Sequence, residues 1–272
     1  MRIKKFAAVT LNQVFKNQTY TVRHGLAKGL RRRGGLAFLP AAFASTRERV
    51  EEESFLLSLS LEGLTIYDVG GDQGIYTVFF ARKVGDHGRV ITFEPNPESY
   101  RRIVANAELN QFRNVDVRPI GLGAQKSKLT FVFPEGEPAR GSADAGIQAQ
   151  ILREKNPRSI EIEVNSLDDE VLSCGLPEPD LVKIDVEGLE MDVLLGMQET
   201  LRKSHPSLFI EVHGADVQSK EDNAKQVVKF LLDGGYSVFH VESKQSITYA
   251  NIEMARQGHI FCELQAGTPG EN

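Results

Sequence analysis

From Thr65 onward the chain alternates short, apolar, β-branched runs with stretches of helical periodicity, and few architectures accept that alternation. It is the signature of βαβ units wound around a mostly parallel sheet, an α/β fold. Strands are expected near Thr65–Val69, Arg89–Phe93, Val115–Pro119, Leu181–Asp185, Leu208–Val212, Tyr236–Val241 and His259–Leu264, with helices between most of them. After the fourth of these strands, Leu189, Val193, Leu194, Met197 and Leu201 recur at helical spacing, which places them on one buried stripe. Between the third and fourth, Ser127–Phe133 and Ser159–Val164 read as two further strands around a looser segment, Pro134–Pro157. Connections of that length often serve as lids or binding segments.

At 272 residues the chain accommodates one principal core with an amino-terminal addition. The expected division is a basic, mainly helical extension over residues 1–60 and a Rossmann-like domain over residues 61–272. The first part reads as poorly periodic helices broken at Gly34-Gly35 and Pro40, followed by a helix from Arg47 to Leu59 capped by Ser45 or Thr46. Met1 to Arg47 contains Arg31-Arg32-Arg33 and no Asp or Glu, although the net charge of the chain is -5. Such a start could make weak contact with phosphate, an acidic glycan or an anionic membrane surface. The overall negative charge argues against specific nucleic-acid binding. No apolar run approaches the roughly 18 to 20 residues of a membrane helix. Cys174 and Cys262 have no CxxC partners and form no disulfide or zinc framework. A cytoplasmic protein is expected, with at most peripheral membrane contact.

The strongest chemical signal is Asp68-Val69-Gly70-Gly71-Asp72-Gln73-Gly74, at the end of the first strand and the opening of the next helix. In open α/β sheets ligands lie at the carboxyl ends of the strands. Gly70 and Gly74 allow close backbone approach or left-handed conformations, and the helix beginning near Gly74 offers free N–H groups to an anion. The glycine spacing fails the Gly-x-Gly-x-x-Gly dinucleotide fingerprint. Asp68 and Asp72 would also crowd a pyrophosphate, whereas they suit a ligand with an ammonium, a carboxylate and a sulfonium, as S-adenosylmethionine has. Glu94 ends the second strand, 20 residues beyond Gly74, where a carboxylate can accept hydrogen bonds from both ribose hydroxyls of an adenosine. Pro95 and Asn96 follow it, with Asn96-Pro97 in a turn that starts a helix.

The stretch Asp68 to Gly74, Phe93-Glu94-Pro95-Asn96, Ser166-Leu167-Asp168, Val182-Lys183-Ile184-Asp185-Val186-Glu187-Gly188 and Ile210-Glu211-Val212-His213 occur in an order and spacing that resembles the FkbM family of methyltransferases. The resemblance covers about Leu64 to Gly214 and leaves the first 60 residues out. It implies a class I methyltransferase fold with strand order 3-2-1-4-5-7-6, a mostly parallel seven-stranded sheet whose last strand is antiparallel. It also implies O-methylation of natural products or sugars, and it places Asp68, Gly70, Glu94 and Asp185 at cofactor or active-site positions. The full set expected to hold S-adenosylmethionine is Asp68, Gly70, Gly71, Asp72, Gly74, Glu94, Pro95, Asn96 and Asp185.

Methyl transfer is an in-line displacement at an activated sulfonium, so the protein mainly aligns nucleophile, methyl and sulfur. A hydroxyl acceptor still needs help in losing its proton. Asp185 and Glu187 end the fourth strand, Glu211 and His213 the fifth, and each pair shares a face if its strand continues through it. Asp185 is expected nearest the methyl group, with His213 or Glu187 as base. Glu187 could equally be a helix N-terminal charge, and His213 a structural histidine. No metal is expected, because nothing in the spacing demands one, although Mg²⁺ accepts such oxygens. An Asn-Pro-Pro-aromatic run after the fourth strand is absent, which disfavours methylation of amide or base nitrogens. The expected activity is therefore O-methylation of a small molecule or glycan. The rivals are an RNA-modifying methyltransferase and an NAD-linked oxidoreductase on a similar sheet.

Overall fold

The computed structural model describes residues 18–33, 50–135, 137, 140–154 and 156–265. Its first described elements overturn part of the sequence reading. Instead of helix, Thr19–Thr21 (β1) and Arg31–Arg33 (β2) form an antiparallel hairpin in which Tyr20 faces Arg32. The run of three arginines alternates: Arg31 and Arg33 are exposed and Arg32 is buried, the period of a strand. The hairpin docks on the core through Asn110, whose side chain accepts from Arg31 N and donates to Arg31 O, and through Asn106, which accepts from Arg33 N. Of the expected helix from Arg47 to Leu59, the described part is Glu51–Ser58 (α1), and Val50 at its cap position supplies no side-chain acceptor. Ser45, Thr46 and the breaks at Gly34-Gly35 and Pro40 lie outside the described residues.

The core follows as alternating strands and helices: Thr65–Val69 (β3), Ile75–Val84 (α2), Arg89–Phe93 (β4), Pro97–Leu109 (α3) and Val115–Arg118 (β5). Gly121–Leu122 (β6), Ser127–Pro134 (β7), Ala145–Ile151 (α4) and Pro157–Asn165 (β8) come next. Then come Leu167–Leu172 (α5), Leu181–Ile184 (β9), Glu190–Leu195 (α6), Gln198–Ser204 (α7), Ser207–Glu211 (β10) and Val217–Asp233 (α8). Tyr236–His240 (β11), Gln245–Ile247 (β12) and His259–Leu264 (β13) close the described chain. Among the described residues the main sheet has the order β12-β11-β13-β10-β9-β3-β4-β5. Neighbours from β5 to β10 pair in parallel, while β13 runs antiparallel to both β10 and β11. This is the expected 3-2-1-4-5-7-6 order with its antiparallel strand. It carries eight strands rather than seven, because β12 folds back on β11 as an added edge.

Both faces of the sheet are covered, as the unbroken apolar strands require. Along β3, Tyr67 and Val69 join one apolar cluster with Val182, Ile184 and Leu194, while Ile66 joins the other with Leu56, Phe79, Phe80 and Phe209. The stripe after β9 is buried at Val193, Leu194, Met197 and Leu201, but it spans two short helices, not one. The break falls at Gly196, where a Cβ would stand 2.0 Å from the Gly123 carbonyl oxygen. Met197 cannot cap α7, and Asp168 does so from another segment, accepting from Glu199 N, Thr200 N and the Thr200 hydroxyl. Three strands, β6, β8 and β7, make a second small sheet. The expected loose segment between β7 and β8 contains α4, capped by Asp144. No helix among the described residues is long and apolar enough to cross a membrane.

Because Asp168 serves α7 alone in this arrangement, Asp168→Ala is expected to remove about 1–2 kcal/mol of stability, the usual worth of a helix cap. Thermal unfolding would then shift down by about 2–8 °C in a chain of this size, with cofactor affinity kept. An unchanged midpoint would remove Asp168 from the scaffold.

Candidate active site

The carboxyl end of β3 turns through Gly70, whose φ of 79° is left-handed. A Cβ there would lie 1.9 Å from the Asp185 carbonyl oxygen, so only glycine lets this turn rest against the end of β9. Gly71 and Gly74 serve the opposite side. Gly71 is packed on Thr92 and Ile103, and Gly74 on the backbone and side chain of Ile103, which fixes the start of α2 against β4 and α3. Between them Asp72 adopts φ 47°, and its Oδ1 is buried without a hydrogen-bond partner among the described residues. Burial raises the pKa of that carboxyl.

Glu94 stands one strand over. Its Oε2 accepts from Asp72 N and its Oε1 from Asn96 N, each at 2.8 Å, so the acid is clamped between the glycine turn and the start of α3. Burial pushes its pKa up to about 8, against the pull of those two amides. The Nδ2 of Asn96 is buried without a hydrogen-bond partner among the described residues. Its Oδ1 accepts from Glu98 N and Ser99 N as the cap of α3.

Below the turn, Lys183 of β9 is buried between Asp68 and Asp185, with Nζ 3.3 Å from a carboxylate oxygen of each. The same ammonium donates to the Gly70 carbonyl at 2.7 Å and lies 4.8 Å from the centre of the Tyr76 ring. Tyr76 in turn donates its hydroxyl to Glu52 of α1. Asp68 is fully buried and also accepts from the Thr77 hydroxyl at 2.6 Å. Burial alone would disfavour the ammonium, but the Asp185 and Asp68 charges outweigh it and hold its pKa above the ordinary lysine value.

At the far end, Asp185, Glu187, Glu211 and His213 all line the same cavity, but not by the expected continuation of the strands: β9 ends at Ile184 and β10 at Glu211, and Asp185, Glu187 and His213 lie in the turns beyond. His213 Nε2 lies 3.8 Å from Asp185 Oδ1 and 3.5 Å from Glu211 Oε1, while its Nδ1 meets buried Glu190 at 3.0 Å. Burial works against a charged ring there, but hydrogen bonds to Glu190 and Glu211, with the charges of Glu187 and Asp185, raise its pKa to about 11. Glu211 Oε2 faces His259 Nε2 at 3.4 Å, and despite burial the two histidines hold the Glu211 carboxyl well below the usual range. Glu187 is left-handed at φ 55°, and its carbonyl accepts from the Ser142 hydroxyl at 2.6 Å. Burial raises its carboxyl's pKa.

These two ends border one cavity of about 310 Å³. Of the residues expected to bind, Gly70, Asp72, Glu94, Pro95, Asp185, Glu187 and His213 line it; Asp68, Gly71, Gly74 and Asn96 do not. The small sheet roofs the space with Leu129, Phe131, Ile162 and Val164, and the segment after β7 adds Gly141 and Ala143.

The profile of the methyltransferase FkbM domain matches residues 68–238. The chain belongs to the FkbM methyltransferase family. The hexuronic acid methyltransferase AglP of Haloferax volcanii is 29% identical over 166 residues, covering 61% of this chain and 62% of its own length. The 2-O-methyltransferase NoeI of Sinorhizobium fredii is 28% identical over 153 residues, covering 51% of this chain and 59% of its own. The chain thus spans about three fifths of the length of these curated relatives. Among solved structures, the methyltransferase FkbM of Methylobacillus flagellatus shares the fold, with a TM-score of 0.50 and 16% identity over 79% of this chain and 48% of that one.

Within this FkbM domain, Glu190 and Thr77 have no role in the sequence reading, and Lys183 enters it only within the Val182–Gly188 run and as a residue for Glu211 to hold; the structure pairs it with Asp68 and Asp185. Lys183 carried a readable signal, a lone charge inside the apolar run Leu181–Ile184, since a buried charge demands partners. Lys183→Met is expected to lower unfolding free energy by about 3–5 kcal/mol, the usual penalty for breaking a buried pair. Adding Asp68→Asn should restore part of that loss by removing the stranded charge. Denaturant unfolding of both variants checks this, and equal stability of Lys183→Met and the parent would refute it.

Proposed function

We propose that this protein transfers a methyl group from S-adenosylmethionine to a hydroxyl of a small molecule or glycan. The observation that carries this reading is the cavity bordered by Asp72 and Glu94 at one end and by Asp185, Glu187 and His213 at the other. The residues present fit the cofactor. The unpartnered buried oxygen of Asp72 suits an ammonium group, and Glu94, fixed by two amides, still has lone pairs for two ribose hydroxyls. Gly70 leaves backbone close to the amino-acid portion, while Phe93, Pro95, Leu122 and Val164 give an adenine ring apolar walls. The bound cofactor supplies a methyl group on a sulfonium, already activated for displacement.

The protein's own work is then alignment and proton removal. Asp185 sits where β9 meets the glycine turn and borders both halves of the cavity. Glu187 presents a second carboxylate to the acceptor end and takes the hydroxyl proton. The His213 ring, with Nε2 beside Asp185 and Glu211, orients these acids. The roof from β7 and β8 excludes water, and Phe131 offers a flat apolar face to a sugar or other ring. A sugar hydroxyl is the acceptor class favoured by the relatives acting on hexuronic acid and at a 2-O position. Arg31 and Arg33, both exposed on β2, carry the weak contact to anionic surfaces in this reading.

Glu94→Gln is expected to weaken cofactor binding about 10- to 100-fold, because hydrogen bonds to a charged acceptor contribute about 1.5–3 kcal/mol. Ribose hydroxyls favour the ionised carboxylate, so binding drives off the Glu94 proton. S-adenosylmethionine affinity should therefore rise by up to about tenfold per pH unit up to a pH near 8, and level off above it. For the free protein the sign is opposite: stability from the protonated acid is full below 4.5 and lost as pH rises through about 8. Calorimetric titration in buffers of different ionisation enthalpy measures both affinity and released protons. Binding of NAD but not of S-adenosylmethionine would overturn the function, as would transfer of labelled methyl to nitrogen but never to oxygen across sugar and small-molecule acceptors.

A further inference from the structure

We propose that Asp185, Glu211 and His213 form a divalent-metal site at the acceptor end of the cavity, with Mn²⁺ or Mg²⁺ as its ion. The three side chains come from the ends of adjacent parallel strands, and one ligand atom from each lies within 4.8 Å of the others. His213 Nε2 stands 3.8 Å from Asp185 Oδ1 and 3.5 Å from Glu211 Oε1. Donors bound to one ion at about 2.1 Å lie about 3.0–3.5 Å apart, so the three atoms draw together and His213 gives up its Nε2 proton as the ion binds.

The stronger reason is what the remaining atoms do. Asp185 Oδ2 is taken by Lys183 at 3.3 Å, Glu211 Oε2 by His259 at 3.4 Å, and His213 Nδ1 by Glu190 at 3.0 Å. His259 is fixed in turn by Glu242 at 2.7 Å. Glu190 is fully buried, and its oxygens also accept from Gly188 N and the Asn223 amide. Each candidate ligand thus has one donor atom anchored from behind and one turned toward its two companions. A histidine whose second nitrogen donates to a carboxylate, beside carboxylates that are themselves held, is the outer-shell pattern of metal sites. Two carboxylate oxygens and one imidazole suit a hard to borderline ion, and no thiolate is present to select a soft one.

All three residues line the cavity, and none is fully buried, so coordination positions open toward the acceptor. An ion there binds the acceptor oxygen and stabilises its oxyanion. The O–H proton passes to Glu187, the O–CH3 bond forms as the S–CH3 bond breaks, and the sulfonium becomes a neutral thioether. The ion also lets an acidic rim receive an anionic or oxygen-rich acceptor, which bare carboxylates would repel. This departs from the sequence-based expectation of no metal, because spacing cannot reveal which atoms are already engaged. The catalytic role rests on the function proposed above; the metal site does not.

The test uses the full chain, freed of metal with a chelator and titrated with Mn²⁺ in the absence of cofactor, with free ion followed by electron paramagnetic resonance. One ion per chain is expected, lost in Asp185→Asn, and bound about 10- to 100-fold more weakly in Glu190→Gln. Pulsed spectra of the bound ion should show imidazole-nitrogen coupling that disappears in His213→Gln, with circular dichroism confirming that each variant folds. Glu94→Gln should keep the ion while losing cofactor affinity, which separates failure of this site from failure of the methyltransferase reading. The site is refuted if the parent binds neither Mn²⁺ nor Mg²⁺ with or without S-adenosylmethionine, if tight binding survives both Asp185→Asn and His213→Gln, or if the folded parent's bound Mn²⁺ shows no nitrogen coupling.

Discussion

One buried ammonium holds the two halves of the site together. Lys183 stands at the centre of the parallel sheet with Asp68 on one neighbouring strand end and Asp185 on its own, and it also binds the carbonyl of the glycine turn. Removing three charges from water is costly, and their mutual attraction offsets that only when geometry and extra hydrogen bonds are good. Here Thr77 of α2 donates to one oxygen of Asp68 and the lysine stands 3.3 Å from the other, while the Gly70 carbonyl accepts from the lysine and the Tyr76 face lies beside it. The consequence is positional. The Gly70 turn and Asp185, which both line the cavity, are tied to one atom, so neither drifts independently of the other.

What was legible in the sequence follows from which interactions are local. β3, β4 and β13 begin and end where the apolar runs do, because a strand buried on both faces is written in its own residues. Glu94 was legible because its distance from the glycine turn is fixed by one intervening helix. The hairpin at β1 and β2 was not, since three arginines in a row look like a solvated helix until the burial of the middle one exposes the period of two. The split between α6 and α7 was hidden as well. An apolar stripe continues smoothly across Gly196, and the break is imposed by the backbone of Gly123, distant in sequence. Gly71, Gly74 and Asn96 belong to the same motifs without lining the cavity, a distinction that depends on Ile103 and on the cap of α3.

The cavity is built with two characters, and the insertion between β5 and β9 is responsible. The strand ends of the main sheet supply acids and one histidine, whereas β7, β8 and the segment between them supply Leu129, Phe131, Ile162, Val164 and Ala143. An apolar roof over a charged floor limits the access of water to that floor, and electrostatic interactions strengthen where water is absent. Phe131 is held by the close approach of Gly141, where any Cβ would fall 2.3 Å from its ring. Roof shape is therefore set by residues outside every motif that identifies the family. The same fold can take different acceptors by varying this segment alone.

Backbone strain reaches the cavity at two points. Asp72, beside Glu94, and Glu187, near His213, are left-handed without being glycine, while Gln111, Asn156, His205 and Lys244 share that conformation away from the cavity. Such conformations cost on the order of 1 kcal/mol or more each and persist where surrounding contacts over-determine them. Those contacts are visible: Glu94 accepts from the Asp72 amide, and Ser142 donates to the Glu187 carbonyl. Gly188 follows with φ 103°, and a Cβ there would stand 2.9 Å from Ile147 of α4 and 3.1 Å from its cap Asp144, so this turn is closely covered by α4. Each acid is thus held through its own backbone, Asp72 by Glu94 and Glu187 by Ser142, with its side chain left at the cavity wall.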